Sequence, residues 1–265
     1  MSRTFTPSGL IGMVHLEALP GTPGAQHPPQ RIIERAVEDA RVLATAGFDA
    51  ILIENMLDAP YLLREVGPEI IATMTAATSA VVNEVEVPVG IQVLAGANRA
   101  ALSIAHASGG AFIRAEGFAY AAVADEGLLA EADAGPLLRH RRLIGADHVA
   151  VWADVRKKHS AHALTGDLSI SELVSGTAFC GADAVIITGS ATGEPVRNDD
   201  LREARTAGEL PVIVGSGATA ESLPGLLQDA DAVIVGSWIK HDGDWRKPVD
   251  PARALAFTQA RDTHG

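Results

Sequence analysis

Eight short apolar runs recur along the chain at a regular beat: Leu10–Leu16, Ala50–Ile53, Val87–Leu94, Phe112–Arg114, Val149–Ala153, Ala184–Thr188, Pro211–Val214 and Ala232–Val235. Each is nearly continuous in Val, Ile, Leu or Ala instead of alternating with polar residues, which is how strands buried on both faces of a parallel sheet read. Longer segments with helical spacing lie between them. Ile32, Ile33, Ala36, Val37, Ala40 and Leu43 form one such stripe. Strand then helix, repeated eight times, predicts an α/β fold. Eight units in 265 residues fit a (β/α)₈ barrel of about 250 residues better than the competing doubly wound open sheet. No Pro/Ser linker or low-complexity stretch interrupts the pattern, so residues 1–265 are read as a single barrel domain.

An internal echo supports closure. Four strands are approached by similar phrases: Gly47-Phe48-Asp49-Ala50, Gly109-Gly110-Ala111-Phe112, Gly181-Ala182-Asp183-Ala184 and Asp229-Ala230-Asp231-Ala232. These are the even-numbered strands. The glycine is expected to end the preceding helix in a left-handed conformation. Strands three and seven share Val87-Pro88-Val89 and Leu210-Pro211-Val212, with proline tolerated at a strand's start. The longest irregular segment, Glu116 to Gly135, follows strand four and has the length of a lid.

Net charge narrows the partners. At −12, a basic nucleic-acid-binding face is excluded, and attraction to anionic lipid is disfavoured except through a local patch, which leaves room for peripheral association. No apolar run reaches the ~18 residues of a membrane span, and residues 1–9 do not read as a signal peptide; a cytoplasmic protein is expected. The one cysteine, Cys180, rules out an internal disulfide and reads as a small core residue at a helix end. Self-association into a homo-oligomer is expected, with no feature that fixes its symmetry.

In a barrel of this type chemistry gathers where strands run into the following helices. The residues at those ends are His15 and Glu17, Glu54 and Asn55, Gln92, Arg114 and Glu116, Asp154 with Lys157 and Lys158, Thr188 with Gly193, Gly215-Ser216-Gly217, and Gly236-Ser237 followed by Lys240. Unpaired charges are costly to bury, so this concentration marks a binding site, although Asp154 or Glu54 could equally serve Arg114 as a structural ion-pair partner. Gly193, Gly215, Ser216, Gly217, Gly236 and Ser237 are expected to present backbone N–H groups to a phosphate, with a helix following the run Val214 to Thr219 and Lys240 as a clamp. Lys158 is a secondary candidate, as a point charge before a Schiff base. No cofactor is required by this set; Glu54 and Asp154 offer oxygen ligands should a divalent metal be used.

These residues resemble the BtpA/SgcQ family over nearly the whole chain. The anchors are Gly12-Met13-Val14-His15-Leu16-Glu17-Ala18-Leu19-Pro20-Gly21, Gly47 to Asn55, Phe112-Ile113-Arg114, Ala153-Asp154-Val155, Gly215-Ser216-Gly217, Val235-Gly236-Ser237, and Pro248-Val249-Asp250 before Arg253. The resemblance implies a phosphate-binding barrel with His15, Glu54, Asn55, Arg114 and Asp154 as its functional core. One branch is associated with photosystem I biogenesis at membranes, another with sugar uptake beside sugar-phosphate enzymes. Gln92 stands where the family usually carries Asn, and Ala95-Gly96-Ala97 replaces polar residues. The expectation is an enzyme acting on a sugar phosphate or nucleotide-like metabolite by isomerase, epimerase or lyase chemistry. Glu54 and Asp154 would be its base and acid, with His15 and Arg114 orienting the substrate or stabilising charge. The alternative is a non-catalytic stability factor for a membrane complex.

Overall fold

The structure, a computed structural model, describes residues 4–189, 194–208 and 210–262. The first half of the described chain runs β1 (Gly9–His15), α1 (Pro29–Ala46), β2 (Ala50–Glu54), α2 (Pro68–Glu84), β3 (Val89–Gln92), α3 (Asn98–Ser108), β4 (Phe112–Ala115), β5 (Ala122–Ala124), β6 (Gly127–Leu129) and α4 (Ala134–Leu143). The second half runs β7 (Ala150–Asp154), β8 (Ser160–Ala161), α5 (Ile170–Phe179), β9 (Ala184–Ile187), α6 (Asn198–Ala207), β10 (Val212–Val214), α7 (Leu223–Asp229), β11 (Ala232–Val235) and α8 (Pro251–Asp262). Strands β1, β2, β3, β4, β7, β9, β10 and β11 are the eight apolar runs, and they close into one parallel barrel in chain order.

The pleat sorts the apolar residues into two layers. One side-chain set, including Leu10, Val14, Ile51, Ile53, Val151, Val185 and Val233, packs outward against the helices. The alternate set fills the barrel: Ile11, Met13, Ala50, Leu52, Phe112, Ala150, Trp152, Ala184, Ile186, Ile213, Ala232 and Ile234. Aromatic residues make up only 4% of the chain, yet the centre of this interior is a stacked pair, Phe112 on Trp152, with ring centroids 3.7 Å apart. Phe5 closes the far end against both rings. Four inward alanines leave the volume those rings occupy. Gly90 of β3 leaves the rest, since a Cβ there would lie 2.0 Å from the Phe112 ring.

The sequence echo has a physical cause. Asp49 Oδ2 accepts the backbone N–H of Leu10 at 2.7 Å, Asp183 Oδ2 that of Val151 at 2.8 Å, and Asp231 Oδ2 that of Val212 at 2.8 Å. Each aspartate before an even strand therefore satisfies the first free donor of the preceding odd strand, a group that would otherwise be orphaned at the barrel rim. Each also meets an arginine: Arg261, Arg141 and Arg205 respectively. Gly47, Gly109 and Gly181 follow α1, α3 and α5 with φ of +90°, +81° and +90°. Cys180 caps α5 and is half-buried against the core.

The segment from Glu116 to Gly135 differs from expectation, for it is not wholly irregular. Its two halves form the β5–β6 hairpin, and β8, from the loop after β7, pairs with β5 on the other side. Three strands are each too short to announce themselves, and the third is supplied from about 30 residues on, so no local pattern reveals the sheet.

Gly90→Ala is expected to lose about 1–3 kcal/mol of unfolding free energy by forcing Phe112 off Trp152. Urea denaturation checks this; an unchanged midpoint would mean that the ring pair shifts freely.

Candidate functional site

The same alternation that fills the barrel carries the mouth. Two residues beyond Met13, Leu52, Gly90, Phe112, Trp152, Ile186, Ile213 and Ile234 come His15, Glu54, Gln92, Arg114, Asp154, Thr188, Gly215 and Gly236. Successive residues of a strand point to opposite faces, so this set shares the inward parity. The charged layer thus rests on the apolar one.

Arg114 and Asp154 form the floor. Arg114 Nε donates to Asp154 Oδ2 at 3.0 Å and Nη2 to Oδ1 at 2.9 Å, a bidentate pair between side chains only 3% and 2% exposed. Arg114 Nη1 also donates to the Gly215 carbonyl at 3.3 Å. Burial works against the arginine's charge, but Asp154 outweighs it and holds the guanidinium pKa above its ordinary value.

His15 is fixed in its neutral form. Its Nδ1 lies 2.8 Å from the Trp245 carbonyl, so this nitrogen carries the proton and donates it. Burial first, then the charges of Lys240 and Lys158, lowers its pKa to about 3. Nε2 is left as an acceptor, 3.7 Å from Glu54 Oε2. That approach is a contact with a neutral ring and not an ion pair. Burial also raises the Glu54 pKa, with Lys158 and Arg114 opposing. Lys158 is shifted down, by burial and then by Arg114.

Two adjoining cavities open from this layer and share Glu54, Met56 and Lys158. The first, of about 240 Å³, is walled by the backbone of Gly215 to Thr219, by Gly236 and Ser237, and by the side chains of His15, Arg114, Arg253 and Trp238. Gly217 adopts φ +73°, and a Cβ on it would lie 2.0 Å from the Glu194 carbonyl, so this loop requires glycine twice over. Helix α7 starts at Leu223, a few residues past Thr219, because Thr219 and Ser222 exchange backbone and hydroxyl hydrogen bonds in an intervening turn. The positive field in this cavity therefore comes from Arg114, Lys158 and Arg253 and not from a helix end. Arg253 is held with its Nε on the Trp238 carbonyl and its guanidinium 4.6 Å from the Trp238 ring centroid.

The second cavity, of about 480 Å³, lies under the small β-sheet and is lined by Tyr61, Gln92, Leu94, Glu116, Asp125, Glu126, Lys157 and Trp245. Lys157 Nζ reaches Glu126 at 3.1 Å and Glu116 at 4.0 Å. Burial raises the Glu116 pKa to about 7, with Lys157 opposing.

Several expected site residues stand elsewhere. Lys240 is not at the mouth. Its Nζ is fully buried, donates to the Met13 carbonyl at 2.8 Å and sits 3.5 Å from Asp39 of α1, because the turn Ser237–Ile239 sends it behind the barrel wall. Burial brings its pKa to about 8, with Asp39 opposing. Asp154 lines neither cavity, since both its oxygens serve Arg114, so it is a positioning residue and not a free acid. For the same reason Glu54 and Asp154 do not make an open carboxylate pair for a metal, and no group of three or more His, Cys, Asp or Glu suited to one occurs among the described residues. Asn55 has the wrong parity. It binds the Leu94 N–H through Oδ1 and Asp58 through Nδ2, tying the loops after β2 and β3. Glu17 lies past the end of β1, 4.0 Å from His27 and away from both cavities. Gly193 lies outside the described residues. Two residues join the cavities beyond the expected core: Glu116, which shares the parity of Arg114, and Arg253, which nothing local in helix α8 ties to the mouth.

A sequence profile described as the BtpA family matches residues 6–263. An uncharacterized mitochondrial protein of Caenorhabditis elegans is 40% identical, covering 94% of this chain and 91% of its own length. The photosystem I biogenesis protein BtpA of Synechocystis is 39% identical over 97% of this chain and 90% of its own. Among solved structures, N-(5'-phosphoribosyl)anthranilate isomerase from Pyrococcus furiosus superposes with a TM-score of 0.59 at 13% identity, covering 96% and 99% of the two chains. That likeness is one of barrel fold.

Lys240→Met should cost about 3–5 kcal/mol of stability, because it strands Asp39 without its partner, while calorimetric binding of inorganic phosphate stays unchanged. Weakened phosphate binding at full stability would return Lys240 to the mouth. A second expectation concerns His15. The unfolded chain takes up a proton at this residue below about 6.5 that the folded ring refuses until about pH 3, so its contribution to stability falls as the pH drops through that window. In nitrogen-edited NMR, His15 should remain the neutral Nδ1–H tautomer from pH 8 to pH 5; a titration inside that range would contradict the assignment.

Proposed function

The chain belongs to the BtpA family, and on that premise we propose that it is an enzyme binding a small phosphorylated metabolite in the first cavity and performing acid–base chemistry on it, as an isomerase, epimerase or lyase. The observation that carries this reading is the convergence of Arg114, Lys158 and Arg253 on the backbone of the two glycine loops, with Glu54 at the inner end of the same cavity. Glycine loops let backbone N–H groups approach an anion closely, and barrels often bind phosphate after their last two strands. Arg253, together with Lys158 and the Asp154-paired Arg114, offers donors to a phosphoryl group in a protein whose net charge is −12.

Glu54 is the proton-transfer group in this scheme. Its burial lifts the carboxyl toward neutral pH, where an acid–base catalyst works best. His15 offers Nε2 as a fixed acceptor for a substrate hydroxyl, since Trp245 holds the other nitrogen. Lys158, with its charge destabilised by burial, is the second proton donor or acceptor at the junction. Arg114, locked by Asp154, stabilises an oxyanion as charge develops. The named role of the Synechocystis relative supports a second reading, a stability factor for a membrane complex. No described helix is long and apolar enough to cross a membrane, so such a role would act by association from outside the bilayer.

Ribose 5-phosphate and inorganic phosphate test the proposal. A ligand at 100 times its dissociation constant stabilises the fold by about 2.7 kcal/mol, which thermal unfolding resolves. Ser237→Asp should abolish this shift by placing an anion in the cavity. Glu54→Gln should keep binding yet lose deuterium exchange from solvent into the bound sugar phosphate. If no phosphorylated compound shifts the unfolding and the protein copurifies with membranes, the second reading replaces the first.

A further inference from the structure

The second cavity carries features that a phosphate does not explain. Gln92 and Glu116 are 2% and 5% exposed, and both line it. Gln92 Oε1 and Glu116 Oε2 are fully buried acceptors with no hydrogen-bond partner among the described residues. An unsatisfied buried acceptor costs about 1–3 kcal/mol, and both belong to side chains that line this one cavity, where a donor would relieve them. The wall is also acidic. Glu54, Glu116, Asp125 and Glu126 outnumber Lys157 and Lys158, and Lys157 is already engaged by Glu126. A second phosphoryl group would be repelled. Around these acceptors stand flat or pliable apolar groups: Tyr61, Trp245, Met56 and Leu94. The Tyr61 hydroxyl is used on the Met56 carbonyl at 2.8 Å, so Tyr61 offers the cavity chiefly its ring. Flat rings and edge acceptors together suit a planar heterocycle that stacks and donates N–H bonds.

We propose that the second cavity is a recognition site for a planar nitrogen heterocycle with N–H donors, received by Gln92 and Glu116, so that the full ligand is nucleotide-like. This rests on the phosphate reading of the first cavity for the other end of the ligand. The shared wall of Glu54 and Lys158 then faces the bond region between phosphate and ring. The first cavity, about 240 Å³, is below the roughly 300–1,000 Å³ of ordinary small-molecule sites; the two together reach that size.

The test titrates the wild-type protein calorimetrically with inorganic phosphate, ribose 5-phosphate, the four common nucleoside 5'-monophosphates and their free nucleosides. At least one nucleotide should bind tenfold or more tightly than ribose 5-phosphate. Gln92→Ala and Glu116→Gln should each remove about tenfold of that nucleotide affinity and leave ribose 5-phosphate unaffected. Equal affinity for ribose 5-phosphate and every nucleotide overturns the heterocycle site while the phosphate reading stands. Binding of free nucleosides with no response to any phosphate does the reverse. No binding by any probe overturns both. The wild-type comparison decides the matter even if either variant fails to fold.

Discussion

The alternation of side chains along a closed ring of parallel strands is the constraint on which the rest of this molecule depends. Once the barrel closes, one parity of every strand must fill its interior, and the chain meets that demand with Phe112 stacked on Trp152 amid inward alanines. The next inward step along each strand has no space left in the core and opens at the mouth. His15, Glu54, Gln92, Arg114 and Asp154 occupy that step. A rigid packed layer beneath them holds polar groups in fixed positions, which is what a preorganised site requires.

Two buried ion pairs show how similar chemistry serves different ends. Lys240 and Asp39 join the back of the barrel wall to α1, with the ammonium on the Met13 carbonyl and the carboxylate on the Val249 N–H. Arg114 and Asp154 sit inside the mouth, where the bidentate geometry fixes the guanidinium plane beside the Gly215 loop. Neither pair is a strong source of net stability, because desolvation offsets much of the attraction. Their value is positional: each would be costly to break, and so each fixes the relation of elements far apart in sequence.

Burial dominates the remaining titratable groups. It lowers His15 and Lys158 and raises Glu54 and Glu116, in each case toward the neutral form. Burial thus works against the charged form of every one of these groups, whichever sign that charge would carry. The β5–β6–β8 sheet contributes by placing Asp125 and Glu126 against the second cavity.

The amino-acid sequence by itself determined the barrel. Eight apolar runs, helical stripes between them and the repeated approach to the even strands depend on local periodicity, which a chain carries openly. The same linear order placed His15, Glu54, Arg114, Gln92 and the glycine loops at strand ends. Only the tertiary structure decided which polar residues meet. Asn55 directly follows Glu54 and Lys240 lies five residues past β11, yet one residue of parity or one turn of chain sends them to loop and wall contacts. Asp154 is a strand-end carboxylate like Glu54, but the pairing of β7 with β4 brings it onto Arg114, 40 residues away, and occupies both its oxygens. Arg253 reaches the mouth from the last helix. Contacts of that kind arise from strand pairing and helix packing between distant parts of the chain, which no local pattern of residues records.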